Sequence, residues 1–369
     1  MAKAQETILE IDLKALEHNY NYLKSKLQES TKFLAVVKAF AYGSDAEQIA
    51  LHLQNLNVDY FAVAYTSEGV TLRNAGITKP ILVLHPQPVN FKTIIDYCLE
   101  PSLYNENILN TFHKIAKELN QEKYPIHIKF NTGLNRLGFG GNDVDKVVYI
   151  LKQDDSLYVK SIFSHLAASE DLNEQVFTET QISNFKSIAE NFSKSIGFKP
   201  LLHICNTSGV LNYPEAHFDM VRCGIGLYGF GNSEKENKNF IPIASLKSII
   251  SQIHFIKKNE SVGYNRAYQS NSLKKIATIP IGHADGIGRQ YGKGKGFVYI
   301  NHLKAPIVGN VCMDMIMVDI SNIDCNEGDE VIVFGKHPYS ASEFSKTAQT
   351  ISYEIITAIS PRVKRAFLI

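Results

Sequence analysis

The sequence predicts an α/β fold with an added β part: a parallel (β/α)8 TIM-like barrel over residues 12–238, then a mainly β domain over residues 239–369. Three observations predict it. From residue 33 to about residue 229, eight short apolar runs are separated by crossover segments, several of them strongly amphipathic. The run "NSEKENKN", Asn232 to Asn239, has no apolar residue in eight and reads as a linker. Beyond it the texture turns β-rich, with frequent turn punctuation.

Taken in order, "ETILEID" opens the chain as a strand that can join the C-terminal domain from residues 1–11, though its partner is unnamed. Asp12 is placed to cap the helix "LKALEHNYNYLKSKL". The barrel strands are "FLAVVKA", "YFAVAYT", "ILVLHP", "EPSLY", "IHIKFNTG", "VKSIFSHL", "LLHICNT" and "MVRCGIGLYG". Helices with apolar residues at i, i+3, i+4 fall on "DAEQIALHLQNL", "NENILNTFHKIAKELN" and "VFTETQISNFKSIAENF". A doubly wound sheet shares this periodicity; eight strands in series favour the barrel. In the last part, "GFVYINHLKAPIVGNVCMDMIMVDIS" and "DEVIVFG" read as strands, and "SASEFSKTAQTISYEIITAI" as one late helix.

Composition narrows the partners. Thirty-eight Lys and Arg against 37 Asp and Glu leave no field for a polyanion, so no nucleic acid is expected and the ligand should be small. "MAKAQETILE" lacks a signal-peptide apolar core, and no apolar run approaches the ~18 residues of a membrane span, so a cytoplasmic protein without a membrane partner is expected. Five cysteines with no C-x-x-C pair argue against a disulfide framework and a zinc site, and no metal is expected.

Active sites of parallel barrels lie at the C-terminal rim, so polar residues closing apolar strands are informative. They are Lys38, His85, Lys129, Asn131, His165, His203, Asn206 and Arg222. Singly each fits a satisfied structural residue; the convergence is what points to a site. After the seventh and eighth strands come "NTSG" and "CGIG", where barrels bind phosphate, making Thr207, Ser208, Gly224 and Ile225 candidate contacts. A lysine at an apolar mouth loses charge by desolvation, and a neutral amine condenses with a carbonyl. Pyridoxal 5′-phosphate would satisfy both the lysine and the phosphate loops. Lys38 taken alone equally fits a snorkelling side chain.

Eight ordered segments then make the pattern specific: "AVVKAFAYG", "NTGLNRLGF", "FSHLAAS", "MVRCGIGLYGF", "VGYNRAY", "GHADG", "GNVCMDM" and "ISYE". Their order and spacing resemble alanine racemases, and the resemblance runs from "EIDLKALEHN" to the C-terminus. It implies that Lys38 carries pyridoxal 5′-phosphate covalently. It implies that Tyr42, Tyr353, Thr207, Gly224 and Ile225 contact the phosphate, that Arg222 faces the pyridine nitrogen, and that His165 and His203 support ring and arginine. Arg136, helped by the backbone at Met313, would meet the substrate carboxylate. Lys129 matches a lysine that is often carbamylated. Tyr264, from a partner subunit, would be the second base opposite Lys38, in a head-to-tail homodimer with shared active sites. The implied reaction is interconversion of L- and D-alanine, supplying D-alanine for peptidoglycan.

Inversion needs one base on each face of the α-carbon, which suits a lysine and a tyrosine. To work near neutrality the tyrosine must be lowered by cations, for which Arg266 and Arg136 are sources. An arginine, unlike a carboxylate, gives the pyridine nitrogen a hydrogen bond but not a proton, so the carbanion is only moderately stabilised. The chain departs from the family at Phe40, Asn131, His283 and Asn310, while keeping Arg289. The changes at 283 and 310 bear on the substrate entrance and on strict alanine specificity; a broader racemase, acting for example on serine, is the alternative. A decarboxylase on the same two-domain plan would need an acid where Arg222 stands, and a metal-assisted aldolase a ligand spacing that is missing. A non-catalytic cofactor-binding protein would resemble the barrel alone; residues 240–369 with Tyr264 speak against it.

Overall fold

The fold is that of a computed structural model describing residues 4–369. Contacts divide the chain into two compact units, one of residues 17–41 and 46–240, the other of residues up to 16, 42–45 and 241–369.

The first unit is built on eight parallel strands. With the N-terminal strand Ile8–Asp12 numbered β1, they are β2 (Lys32–Val36), β3 (Tyr60–Val63), β4 (Ile81–Val83), β5 (Glu100–Leu103), β6 (Tyr124–Lys129), β7 (Leu157–Phe163), β8 (Leu201–His203) and β9 (Met220–Cys223). They run β8-β7-β6-β5-β4-β3-β2-β9, so the first barrel strand pairs with the last. That pairing decides against an open doubly wound sheet, whose first and last strands never meet. Backbone bonds from Asp219 to Leu202 (3.1 Å) and from Arg222 to Cys205 (3.0 Å) cross the remaining seam between β8 and β9. Strand interiors are dry on both faces: Phe33, Leu34, Phe61, Ala62, Ile81 and Leu82 are all fully buried. This is why these segments read as continuous apolar runs rather than alternating ones.

Helices follow the amphipathic segments, at Ala46–Asn55, Glu106–Glu118 and Gln175–Ile196. Two expectations need correction. The polar run at 232–239 is no bare linker: it forms the short helix Glu234–Asn237, and Glu236 turns inward to 5% exposure. The late helix is two helices, Ala341–Lys346 and Ser352–Thr357, since Gln349 between them has a left-handed φ of 55° that breaks the turn.

The second unit is a nine-stranded sheet. Its strands are β1, β10 (Ala244–Ile249), β11 (Gln252–Ile256), β14 (Lys274–Ile279), β15 (Phe297–Ile300), β16 (Leu303–Val308), β17 (Ile316–Asp319), β18 (Glu330–Phe334) and β19 (Lys364–Leu368). The partner that the sequence left unnamed for β1 is double: β10 antiparallel on one side, β19 parallel on the other. Asp12 at its end accepts the Ala15 N–H (2.9 Å), capping the helix Leu13–Lys24. A separate two-stranded ladder pairs β12 (Ser261–Val262) with β13 (Tyr268–Gln269) and carries residues 263–267 between its arms. Val262 packs with Ile276, Val308 and Met317, tying this hairpin to the sheet.

Lys247 on β10 reaches Glu10 on β1 (3.0 Å) and Glu330 on β18 (3.5 Å), all three side chains 22% exposed or less. Removing the cation leaves two half-desolvated carboxylates facing each other. Lys247→Met should therefore lower stability by about 3 kcal/mol, read as a shifted denaturation midpoint.

Candidate functional site

Lys38 follows β2 by two residues, as an apolar strand ending on an ammonium requires. What holds it there is unusual backbone. Ala39, Phe40, Ala41 and Tyr42 all have φ between 49° and 56°, one turn of left-handed helix made without glycine. Each such residue costs about 1–2 kcal/mol, so the surroundings must over-determine the turn. Glu68 does part of this: its carboxylate accepts the Ala39 N–H (2.6 Å) together with those of Ala64 (2.7 Å) and Tyr65 (3.0 Å), while capping the helix Thr66–Asn74. Gly43 closes the turn at φ 83°, where a Cβ would lie 2.1 Å from the Ile356 carbonyl oxygen. Glu68→Ala should cost about 2 kcal/mol of stability through the lost charged acceptor. Glu68→Gln, which keeps the shape and removes the charge that raises Lys38, should move the acidic limb of any Lys38-dependent rate to lower pH.

The Lys38 amine is lowered by burial first and by Arg136 second. Lys129, at the end of β6, is pushed down to about 8 by burial, then by Arg222, Arg136 and Lys38. Four cationic side chains thus share one electrostatic neighbourhood at the barrel mouth. Arg222 is 5% exposed, and burial lowers it to about 10, leaving it charged at neutral pH. Its Nη1 donates to His203 Nδ1 (2.8 Å), and its Nη2 to His165 Nδ1 (2.9 Å) and the carbonyls of Ser164 (2.8 Å) and Ile204 (3.2 Å). Both imidazoles are held well below the ordinary range, by burial and then by Arg222. Both are therefore neutral acceptors, and among the described residues no carboxylate is a hydrogen-bond partner of the arginine. Phe163 stacks on His203 (4.8 Å, 4°) and lies under the guanidinium at 5.3 Å, fixing that plane.

The two loops expected to hold a phosphate meet. Asn206 caps the helix Thr207–Asn212 through Gly209 N–H (2.8 Å), and Gly224 opens the 3-10 turn Ile225–Tyr228. Gly226 N–H reaches Thr207 Oγ1 (3.3 Å), and a Cβ at Gly226 would lie 2.7 Å from Thr207 Cγ2, so only glycine lets the loops approach. First-turn N–H groups have no acceptor inside their own helix, so both turns offer donors to an anion. Ser208 differs from its expectation: its hydroxyl donates to Glu236 (3.1 Å), leaving only its backbone N–H for an anion.

Other predicted residues sit elsewhere. Asn131 organises its own loop, accepting the Asn135 N–H (2.9 Å) and donating to Asn135 Oδ1 (2.8 Å), and Arg136 follows on that loop, exposed. His85 pairs with Gln87 and lies between the rings of Tyr65 and Tyr104. In the second unit the Tyr42 and Tyr353 rings are 6.0 Å apart, and burial followed by Tyr353 raises the Tyr42 phenol, keeping it a donor. Tyr264 stands at the hairpin between β12 and β13, 74% exposed, on a cavity of about 440 Å³ that Met313 also lines. Asn310 donates to the Tyr264 carbonyl (3.2 Å), and Arg266 to Ser261 Oγ (3.2 Å). Sequence reasoning missed Glu68, Glu236 and three buried polar groups of the barrel interior, Glu100, His127 and Ser161. A signal existed for one: His127 shares a strand face with Lys129 two residues on.

The family model for the N-terminal domain of alanine racemase matches residues 11–231, and that for its C-terminal domain matches residues 243–367. The chain is 34% identical to an alanine racemase of Methanococcus maripaludis, over 97% of this chain and 98% of that one. It superposes on the alanine racemase of Clostridium difficile 630 with a TM-score of 0.93 at 33% identity, covering 100% of this chain and 97% of the other. An alanine racemase structure from Bartonella henselae, described with covalently bound pyridoxal phosphate, matches at a TM-score of 0.88 and 29% identity, over 99% of this chain and 100% of that one. Both halves of the chain match family models and a full-length relative exceeds 30% identity, so this protein belongs to the alanine racemase family of isomerases.

Proposed function

We propose that the protein interconverts L- and D-alanine with pyridoxal 5′-phosphate, by a two-base mechanism using Lys38 and Tyr264, as a homodimer that supplies D-alanine for peptidoglycan. The observation that carries this reading is Arg222, a buried guanidinium held by two neutral imidazoles and two carbonyls. The residues fit the cofactor: a lysine of lowered basicity, two helical turns offering N–H groups joined through Thr207 and Gly226, and a cation with no proton to give. Thr207, Gly224 and Ile225 would hold its phosphate, with Tyr42 and Tyr353 as phenolic donors. When bound, pyridoxal 5′-phosphate supplies an electron sink that acidifies the substrate's α-carbon.

The remaining work falls to the chain. Lys38 would attach the cofactor and, when displaced by the substrate amine, accept the α-proton on one face. Tyr264 of the partner subunit would serve the other. Arg222 would donate a hydrogen bond to the pyridine nitrogen without protonating it, which limits charge delocalisation and disfavours decarboxylation and transamination. His165 and His203 hold that guanidinium in place. Arg136, with the Met313 backbone, would orient the substrate carboxylate. Lys129 would act as a carbamate: an amine near 8 has a neutral fraction available to carbon dioxide, and a negative charge suits a site whose neighbours are Arg222, Arg136 and Lys38.

Incubating purified holoenzyme with each alanine enantiomer in heavy water tests the reading. Each should yield both enantiomers with deuterium at the α-carbon. Loss of carbon dioxide with retained configuration would transfer the site to a decarboxylase. Faster turnover of serine than of alanine would keep the chemistry and change the substrate.

A further inference from the structure

A continuous chain of hydrogen bonds runs through the barrel interior from Arg222 to a carboxylate. Arg222 Nη1 meets His203 Nδ1 (2.8 Å), His203 Nε2 meets Ser161 Oγ (2.8 Å), Ser161 Oγ meets His127 Nδ1 (2.5 Å), and His127 Nε2 meets Glu100 Oε2 (2.6 Å). The five residues come from β9, β8, β7, β6 and β5, one per strand. His203, Ser161 and His127 are 0% exposed, and Arg222 and Glu100 are 5% and 8%.

With His203 and His127 each carrying one ring proton, the direction of every proton follows from the ends. A guanidinium only donates, so His203 Nδ1 must accept and the single proton of its neutral ring sits on Nε2. That proton goes to the Ser161 oxygen, whose own hydrogen is then free for His127 Nδ1. His127 is left with its proton on Nε2, donated to the Glu100 carboxylate. The chain is polarised from cation to anion, and Glu100 is the one member able to balance the buried charge of Arg222. Burial of an unbalanced guanidinium would be costly. The Tyr60 ring packs edge-on against His127 (6.1 Å, 89°), restricting rotation of that imidazole.

We propose that Glu100 is a positioning residue for the reaction: it fixes the tautomer of His127 and through it the direction of the Ser161 hydroxyl, which anchors the His203 ring that holds Arg222 at the active centre. Glu100 touches neither substrate nor cofactor in this account, which rests on the role given above to Arg222. Its significance is that the residue tuning the electron sink would be governed by a carboxylate three side chains away from it.

The test uses holoenzyme labelled with 15N in histidine. Glu100→Gln keeps the shape but removes the charge that polarises the chain, and its amide can donate to His127 and reverse that ring's tautomer. The expected result is a fall in kcat of about tenfold or more for both enantiomers with KM little changed, the scale typical of removing a carboxylate that orients an imidazole. The ring-nitrogen signals of His127 and His203 should change with it, and Glu100→Asp should restore the wild-type signals and part of kcat. Unchanged kcat and unchanged ring signals in folded Glu100→Gln would overturn the proposal. So would a lower kcat with unchanged ring signals, since a merely structural role predicts that. Should Glu100→Gln not fold, Ser161→Ala cuts the chain at its middle and is judged by the same two readouts. Failure of the wild-type enzyme to racemise any amino acid would instead count against the proposed function, while the ring signals still decide whether Glu100 controls His203.

Discussion

Replacing Lys38 by alanine should lower racemisation by at least about 10³-fold, because in the proposed mechanism one side chain supplies both the cofactor linkage and a proton-transferring base. The measurement is α-deuterium incorporation from heavy water by each enantiomer, alongside borohydride reduction and peptide mapping. Wild-type holoenzyme should carry the reduced cofactor on the peptide containing Lys38, and the variant should not. Wild-type label on another lysine would remove Lys38 from the mechanism. The pH dependence has a definite sign. Burial and Arg136 lower the Lys38 amine, so more of it is neutral at a given pH than in a free lysine. The rate should therefore rise with pH through an apparent pKa below that of an ordinary lysine side chain, then level off.

Tyr264→Phe should lower racemisation by about 10²- to 10⁴-fold, the usual worth of a positioned acid or base. The shape of the loss is more diagnostic than its size. The two enantiomers have equal free energy, so kcat/KM must fall by the same factor in both directions whichever base is removed. The asymmetry appears in exchange: the enantiomer whose α-proton faces Lys38 should still exchange deuterium with retained configuration, while the other exchanges far more slowly. Full and equal activity toward both would exclude Tyr264. The exposed position of this phenol, on a hairpin at the 440 Å³ cavity, fits the proposed role in another subunit's site, and under that proposal dilution to monomer should abolish activity reversibly.

The barrel was legible because most of its strands are buried on both faces and read as apolar runs, which made a polar residue at the end of such a run conspicuous. Lys38, Lys129, His165, His203 and Arg222 were found in this way, and hydrogen bonds now join the last three. The left-handed turn at residues 39–42 was not legible: nothing in "AFAY" asks for positive φ, and one of the groups that hold it, Glu68, which takes the Ala39 N–H, lies far along the chain. Glu236 was misread with the polar run around it, since a carboxylate that will be buried by Ser208 and Asn212 has the same local composition as one in water.

Local pattern determined most of the strands and longer helices and which polar side chains stand at strand ends, because burial and helical amphipathicity leave their mark on neighbouring residues. Tertiary structure alone decided that β2 pairs with β9, that β1 lies between β10 and β19, and that Glu100 is joined to Arg222 through three intervening side chains. Those are hydrogen bonds between groups tens to hundreds of residues apart, and the energy that selects them exists only after the strands have been brought side by side.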